Sequence, residues 1–425
     1  MDRTGIQYQT YVQILKEELV PAMGCTEPIA LAYCAAKARE VLGQLPDRCV
    51  VEASGNIVKN VKSVIVPNTG GLKGIEAAAA AGAVAGDAGK VLEVISAVTK
   101  EEKEQIRDFL QTAQITVEPL ETDEILDMIV TLYHGESYAK VRIANYHTNI
   151  VLIEKDGEVL YQMGVVAEEK AQMADRSLLN VEDIYDFART ADLDDVREII
   201  GRQIAYNTAI SEEGLKNDWG ANIGSVLRKA YGDEVQVRAR AAAAAGSDAR
   251  MSGCELPVII NSGSGNQGMT ASLPVIEYAK ELGSGEEELY RALLLSNLIT
   301  IHQKTGIGRL SAYCGAVSAG CGAGCGIAYL LGGDFKAIAH TLVNGLAIVS
   351  GIICDGAKPS CAGKIAAAVD AGILGYQMYL NGQQFKGGDG IISKGVENTI
   401  INIGRLGKEG MKETDKEIIR IMTDC

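Results

Sequence analysis

Aromatic residues are scarce in this 425-residue chain, which holds 4 Phe, 1 Trp and 16 Tyr. Its core must be filled mainly by Ala, Val, Ile and Leu, and 48 glycines make close backbone approach the expected way of packing it. Positive charge is also short. Forty Lys and Arg face 55 Asp and Glu, a net charge of −15, so neither nucleic acid nor an anionic membrane is an expected partner. Long apolar runs are missing too. The longest, Ala337 to Cys354, is interrupted by His340, Asn344 and Ser350. It falls short of the ~18 apolar residues of a membrane span. No cationic segment leading into an apolar one opens the chain, so the cytoplasm is the expected compartment. Histidine occurs only at 134, 147, 302 and 340, with no pair at metal-binding spacing; His302, twelve residues before Cys314, is the one that could reach a cysteine site.

Cysteine, by contrast, is plentiful. Ten thiols in a cytoplasmic chain are free thiols or metal ligands rather than structural disulfides. Cys34 and Cys49 lie among apolar neighbours and read as buried small hydrophobes. Cys254 fits either a structural or a functional role. Cys321 and Cys325 each fall within about 20° of Cys314 on a helix, yet Cys314 and Cys325 are about 16 Å apart along its axis. All three cannot share one metal centre. Cys354-Asp-Gly-Ala-Lys-Pro-Ser-Cys361 differs, because Gly356 and Pro359 turn the chain and two thiols on a turn can converge. Cys314, at another helix end, is a candidate third ligand. Three thiolates without a fourth leave an open coordination position, the catalytic kind for zinc and for iron–sulfur clusters; plain structural thiols are the alternative. Cys25 stands directly before the helix start Thr26-Glu27-Pro28, where the helix dipole favours thiolate. An inert buried thiol is the competing reading there.

The order of elements indicates an α+β fold, mainly helical. Residues 1–88 and 170–425 form a discontinuous helical catalytic domain, and a smaller α+β module occupies 89–169. Within the module, runs such as 125–132 and 139–144 alternate like strands, and Asp156-Gly157 signals a hairpin. Residues 49–66 read as extended, with a turn at Gly55-Asn56, and 93–98 as a strand. From 180 onward the pattern is helical, with glycine-rich breaks.

Two of those breaks carry chemistry. Ser262-Gly-Ser-Gly-Asn-Gln-Gly268 contains Gly-x-Gly-x-x-Gly, but helices rather than a second parallel strand follow it, which argues against a dinucleotide. Exposed amides in such a turn suit a carboxylate, with Ser262, Gly263, Ser264, Gly265, Asn266 and Gly268 as candidates. Asn68, Thr69 and Gly70 form a second loop of this kind, followed by Lys73. For both loops a plain tight turn is the alternative.

Ala22-Met-Gly-Cys25-Thr-Glu-Pro28, the Asn68-Thr-Gly-Gly loop, Ser262–Gly268 and the cysteines at 314, 354 and 361 together resemble the L-cysteine desulfidase family, which is related to the α-chain of iron–sulfur L-serine dehydratases. The resemblance spans essentially the whole chain. It implies a [4Fe–4S] cluster on Cys314, Cys354 and Cys361 with one iron open. It also implies a catalytic role for Cys25, for which Glu27 is a back-up base. The implied reaction is β-elimination of L-cysteine to hydrogen sulfide, ammonia and pyruvate. The implied ligand is thus a small amino acid, and a homodimer is expected. In related serine dehydratases a C-terminal cysteine can cap the open iron, which makes Cys425 a possible fourth ligand here. An L-serine dehydratase and a non-catalytic iron–sulfur redox sensor are the alternatives.

Overall fold

Helix α1 (Ile6–Glu18) buries Tyr8, Tyr11, Ile14 and Leu15 on one face. The computed structural model to which it belongs describes residues 1–163 and 173–423. Strand β1 (Pro21–Met23) leads into α2 (Thr26–Leu42), with Cys25 at its N-cap. Pro28 sits in the first turn, where no intrahelical amide is needed. Gly43 ends the helix at φ +84°, a conformation that favours glycine.

β2 (Arg48–Ala53), α3 (Gly55–Val61), α4 (Gly74–Ala85) and α5 (Lys100–Thr112) follow. Then come β3 (Gln114–Pro119), β4 (Asp127–His134), β5 (Ser137–Ala144), β6 (Ile150–Lys155) and β7 (Glu158–Gln162). The sheet has the order β3-β2-β4-β5-β6-β7 and is antiparallel except between β2 and β3. Asp156 and Gly157, both at positive φ, make the β6–β7 hairpin. β2 therefore lies inside the sheet, although residues before 89 were assigned by pattern to the helical part. Its partners are 60 or more residues away in the chain, and local alternation cannot show that. Gly55-Asn56 is a helix start rather than a turn, because Ile57 and Val61, both buried, repeat at four-residue spacing. Residues 88–93 form a short 3₁₀ segment, and no strand covers 93–98.

The rest is helical: α6 (Val181–Thr190), α7 (Arg197–Lys216), α8 (Ile223–Tyr231), α9 (Val235–Met251), then the short β8 (Pro257–Ile259), α10 (Gly265–Leu282), α11 (Glu286–Ile307), α12 (Gly315–Leu330), α13 (Phe335–Val349), α14 (Cys361–Leu380), α15 (Val396–Arg405) and α16 (Lys412–Thr423). The protein is thus α+β and mainly helical. α12 lies at the centre, against α10, α11, α13 and α14. Its glycines explain how: a Cβ at Gly320 would overlap the backbone of Ala368 in α14. Cys321 and Cys325 are wholly buried in this seam, and burial pushes the Cys321 thiol up to about 12. They are core thiols. No helix among the described residues is long and apolar enough to cross a membrane.

Two tethers set the site. β8 pairs antiparallel with β1, matching Pro21 to Ile259 and Met23 to Pro257. This holds the Cys25 segment beside the 262–268 turn. At the other end α16 docks on α3. Lys59 Nζ lies 2.5 Å from Asp415 Oδ1, and Asn56 donates to Asp415 Oδ2 at 2.8 Å. The Lys59 side chain is only 1% exposed. Removing one partner of a buried pair strands the other charge. Asp415→Ala is therefore expected to lower unfolding free energy by about 3 kcal/mol in a urea titration. The double variant Lys59→Met/Asp415→Leu should lose less than that.

Candidate active site

Cys25 is buried, and its Sγ donates to Glu27 Oε2 at 3.0 Å. Thr26 Oγ1 donates to the Gly263 carbonyl at 2.8 Å and so ties the start of α2 to the glycine turn. His147, in the loop between β5 and β6, places Nε2 3.5 Å from Glu27 Oε1. That is an electrostatic contact rather than a formed hydrogen bond, and His147 Nε2 has no hydrogen-bond partner. Burial would raise the Glu27 carboxyl, but His147 and the Cys25 thiol outweigh it and hold Glu27 down to about 2. Burial, and then the Glu27 charge, push the Cys25 thiol well up. The thiolate expected from the helix dipole is therefore not the resting form. Likewise Glu27, held ionised, is placed to orient the Cys25 thiol.

The turn before α10 lies against this group. Ser262 and Gly263 both have positive φ, +50° and +80°. A Cβ on Gly263 would stand 3.1 Å from His147 Cε1 and 3.0 Å from Arg309 Nη1. Arg309 in turn donates to Glu18 at 3.0 Å and covers the Tyr146 ring at 4.3 Å. This contact holds the loop that carries His147. Ser264, the N-cap of α10, makes no side-chain capping bond. Arg250, near the end of α9, donates from Nη1 to Asn266 Oδ1 at 3.1 Å. Gly268 packs against the Ile259 carbonyl, where no side chain would fit.

The ligand candidates come together through backbone pairing. Cys314 donates its amide to the Ile352 carbonyl at 3.1 Å, and Cys354 donates to Ala312 at 2.7 Å. The two segments thus run side by side. Cys314 is the N-cap of α12, and Cys361 opens α14. Burial first, and Cys354 second, push the Cys314 thiol up to about 12; burial also raises Cys361. Cys25, Val64 and Met251 form one buried apolar cluster, and Cys361 and Ala357 pack against it. The Cys25 group and the cysteine loop are therefore one site. Three further links close it. Gln267 of α10 touches Gly315 beside Cys314. The Gly356 turn rests on the Lys59 carbonyl. Buried Lys304 senses Cys354 and Cys314, yet burial lowers it to about 8.

Among the described residues no three His, Cys, Asp or Glu side chains converge on one metal ion. That disfavours a mononuclear site at Cys314, Cys354 and Cys361. A cubane cluster takes each thiolate on a different iron, so it asks for surrounding thiols rather than converging ones.

The other candidates lie elsewhere or are occupied. Pro67 touches Gly24, which brings the Asn68–Gly70 loop near Cys25. However, Asn68 donates to Ile95 and Thr69 to Val66, while Gly70 accepts from Arg107. These bonds fix the loop in place beside Cys25. His302 bonds Glu397 at 2.7 Å. Cys34, Cys49 and Cys254 are buried thiols. Cys425 lies outside the described residues. Pattern reading missed His147, Arg250 and Lys304. The last two left a faint signal, as lone cations closing the otherwise apolar or small-residue runs 241–249 and 292–301.

Residues 89–420 match the serine dehydratase alpha chain family, and the chain belongs to it. Such a chain is a dehydratase-like lyase by kinship. Within that class it is similar from end to end to proteins named UPF0597. The one from Desulfitobacterium hafniense is 65% identical over 422 residues, covering 99% of this chain and 98% of the relative. Lachnoclostridium phytofermentans has one 55% identical over 415 residues, covering 98% and 99%. A third, from Treponema denticola, is 47% identical over 422 residues, covering 98% of each.

Proposed function

We propose that this protein is an iron–sulfur L-cysteine desulfidase, which converts L-cysteine and water to hydrogen sulfide, ammonia and pyruvate. The observation that supports this most is the packing of Cys361 against the buried cluster that holds Cys25, which sets the Cys25–Glu27 pair beside one of the three candidate ligands. Cys314, Cys354 and Cys361 fit a cluster by donor type, and Lys304 and Lys364 offset their charge as thiolates. A cluster held there supplies a Lewis acid for the leaving sulfur.

The remaining work falls to the chain. The backbone amides of Gly263 and Gly265, with Asn266, hold the substrate carboxylate, while the Ser264 amide closes the turn on the Asn261 carbonyl. Glu27 orients Cys25 on one oxygen and His147 on the other. Cys25 passes its proton by way of Glu27 to the unpartnered Nε2 of His147, which keeps it, and the resulting thiolate takes the α-proton. Its high proton affinity makes it a strong base once formed. Sulfide leaves, and the aminoacrylate hydrolyses in water.

L-Serine is the second reading, and the family match favours it. The test is anaerobic purification with iron and sulfide counting, followed by pyruvate and sulfide assays on both amino acids. About four irons per chain and turnover of L-cysteine are expected. A metal-free protein that still turns over sinks the cluster. A loaded protein inert toward both substrates sinks the lyase.

A further inference from the structure

We infer that Arg250 is the counter-charge that grips the α-carboxylate of the substrate. The inference rests on the amino-acid reading above and names the residue that recognises this class of ligand. Arg250 is 2% exposed. Its Nε has no partner, and its bond to Asn266 goes to a neutral amide oxygen. Among the described residues it forms no ion pair. A guanidinium taken out of water without an anion costs the fold several kcal/mol by general physical chemistry, and proteins keep such a group where a ligand completes it.

The place is suited to an anion for a separate reason. Arg250 lies across the start of α10, close enough that a Cβ at Gly265 would collide with it. α10 has 18 residues and no side-chain cap, so its first amides are open. Cys25 feels the Arg250 charge. A carboxylate between Arg250 and the α10 amides would therefore bring its α-carbon toward Cys25. The planar fork of the guanidinium matches a carboxylate on two bonds. The ligand class is a small α-amino monocarboxylate.

The test uses the anaerobically purified, cluster-loaded protein and titration calorimetry. The probes are L-alanine and L-alaninamide, neither of which has a β leaving group. Wild-type protein should bind L-alanine and discriminate against the amide. Arg250→Gln should weaken L-alanine by about 10–100-fold and erase that discrimination. Its iron count and melting temperature should not fall, because a buried charge without an anion costs the empty fold more than its one bond to Asn266 returns. Arg250→Lys keeps the charge but not the fork, and should bind several-fold more weakly than wild type. It carries the test if Arg250→Gln does not fold. Unchanged affinity in either variant overturns the assignment of Arg250 alone. Loss of iron with normal affinity makes Arg250 a partner of the cluster and also overturns it. A wild-type protein that binds neither probe overturns the amino-acid reading as well.

Discussion

Cys354→Ser yields a folded chain with less than about one iron in place of about four, and its turnover falls by about 10²–10³-fold. Lewis-acid assistance is worth several kcal/mol, and each 1.36 kcal/mol is tenfold, which sets that range. The fold should survive, because the structural bond made by Cys354 is its backbone amide to Ala312, and serine keeps it. Cys321→Ser is the control. Its thiol sits in the α12 seam with no exposure. A hydroxyl there should lower stability and leave iron unchanged. Iron and acid-labile sulfide counts on the two variants separate ligand from core thiol. Full iron in Cys354→Ser refutes the ligand set.

Cys25→Ser has the complementary signature. Turnover should drop by about 10²–10⁴-fold at unchanged iron, since serine can still donate to Glu27 but does not become a base at neutral pH. Loss of iron instead would make Cys25 a ligand. The pH profile adds a second reading. Glu27 is held down to about 2, so it is ionised throughout the range in which activity is measured. An acid limb between pH 5 and 8 therefore does not belong to Glu27, and Glu27→Gln should reduce the rate without abolishing the limb. A limb that disappears in Glu27→Gln would assign the titration to Glu27.

The sequence pattern showed most helices, because glycine-rich breaks separate apolar runs of helical period. It also showed strands β3 to β7 through alternation and the Asp156-Gly157 hairpin. α16 escaped because its surface is dominated by charge, and what defines it is docking on α3 through Asp415. β2 was legible as an extended segment, but its place in the sheet was not, because membership of a sheet is a matter of distant partners. The site divides along the same line. Cys25, Glu27 and the 262–268 turn were legible because each carries a local reason: a helix start, an ionisable neighbour, a run of small residues. His147, Arg250 and Lys304 owe their roles to neighbours more than a hundred residues away or across helix seams, or to cysteines on other elements.

The pairing of β1 with β8 has a consequence for the order of synthesis. A ribosome delivers Cys25 first of these, the His147 loop later, Arg250 and the α10 turn after that, and then Cys354 and Cys361. The three-residue strand that holds the Cys25 segment in place has no partner until residues 257–259 emerge. A growing chain therefore cannot assemble the site piecemeal, and whatever chemistry the site performs waits until Cys361 has emerged.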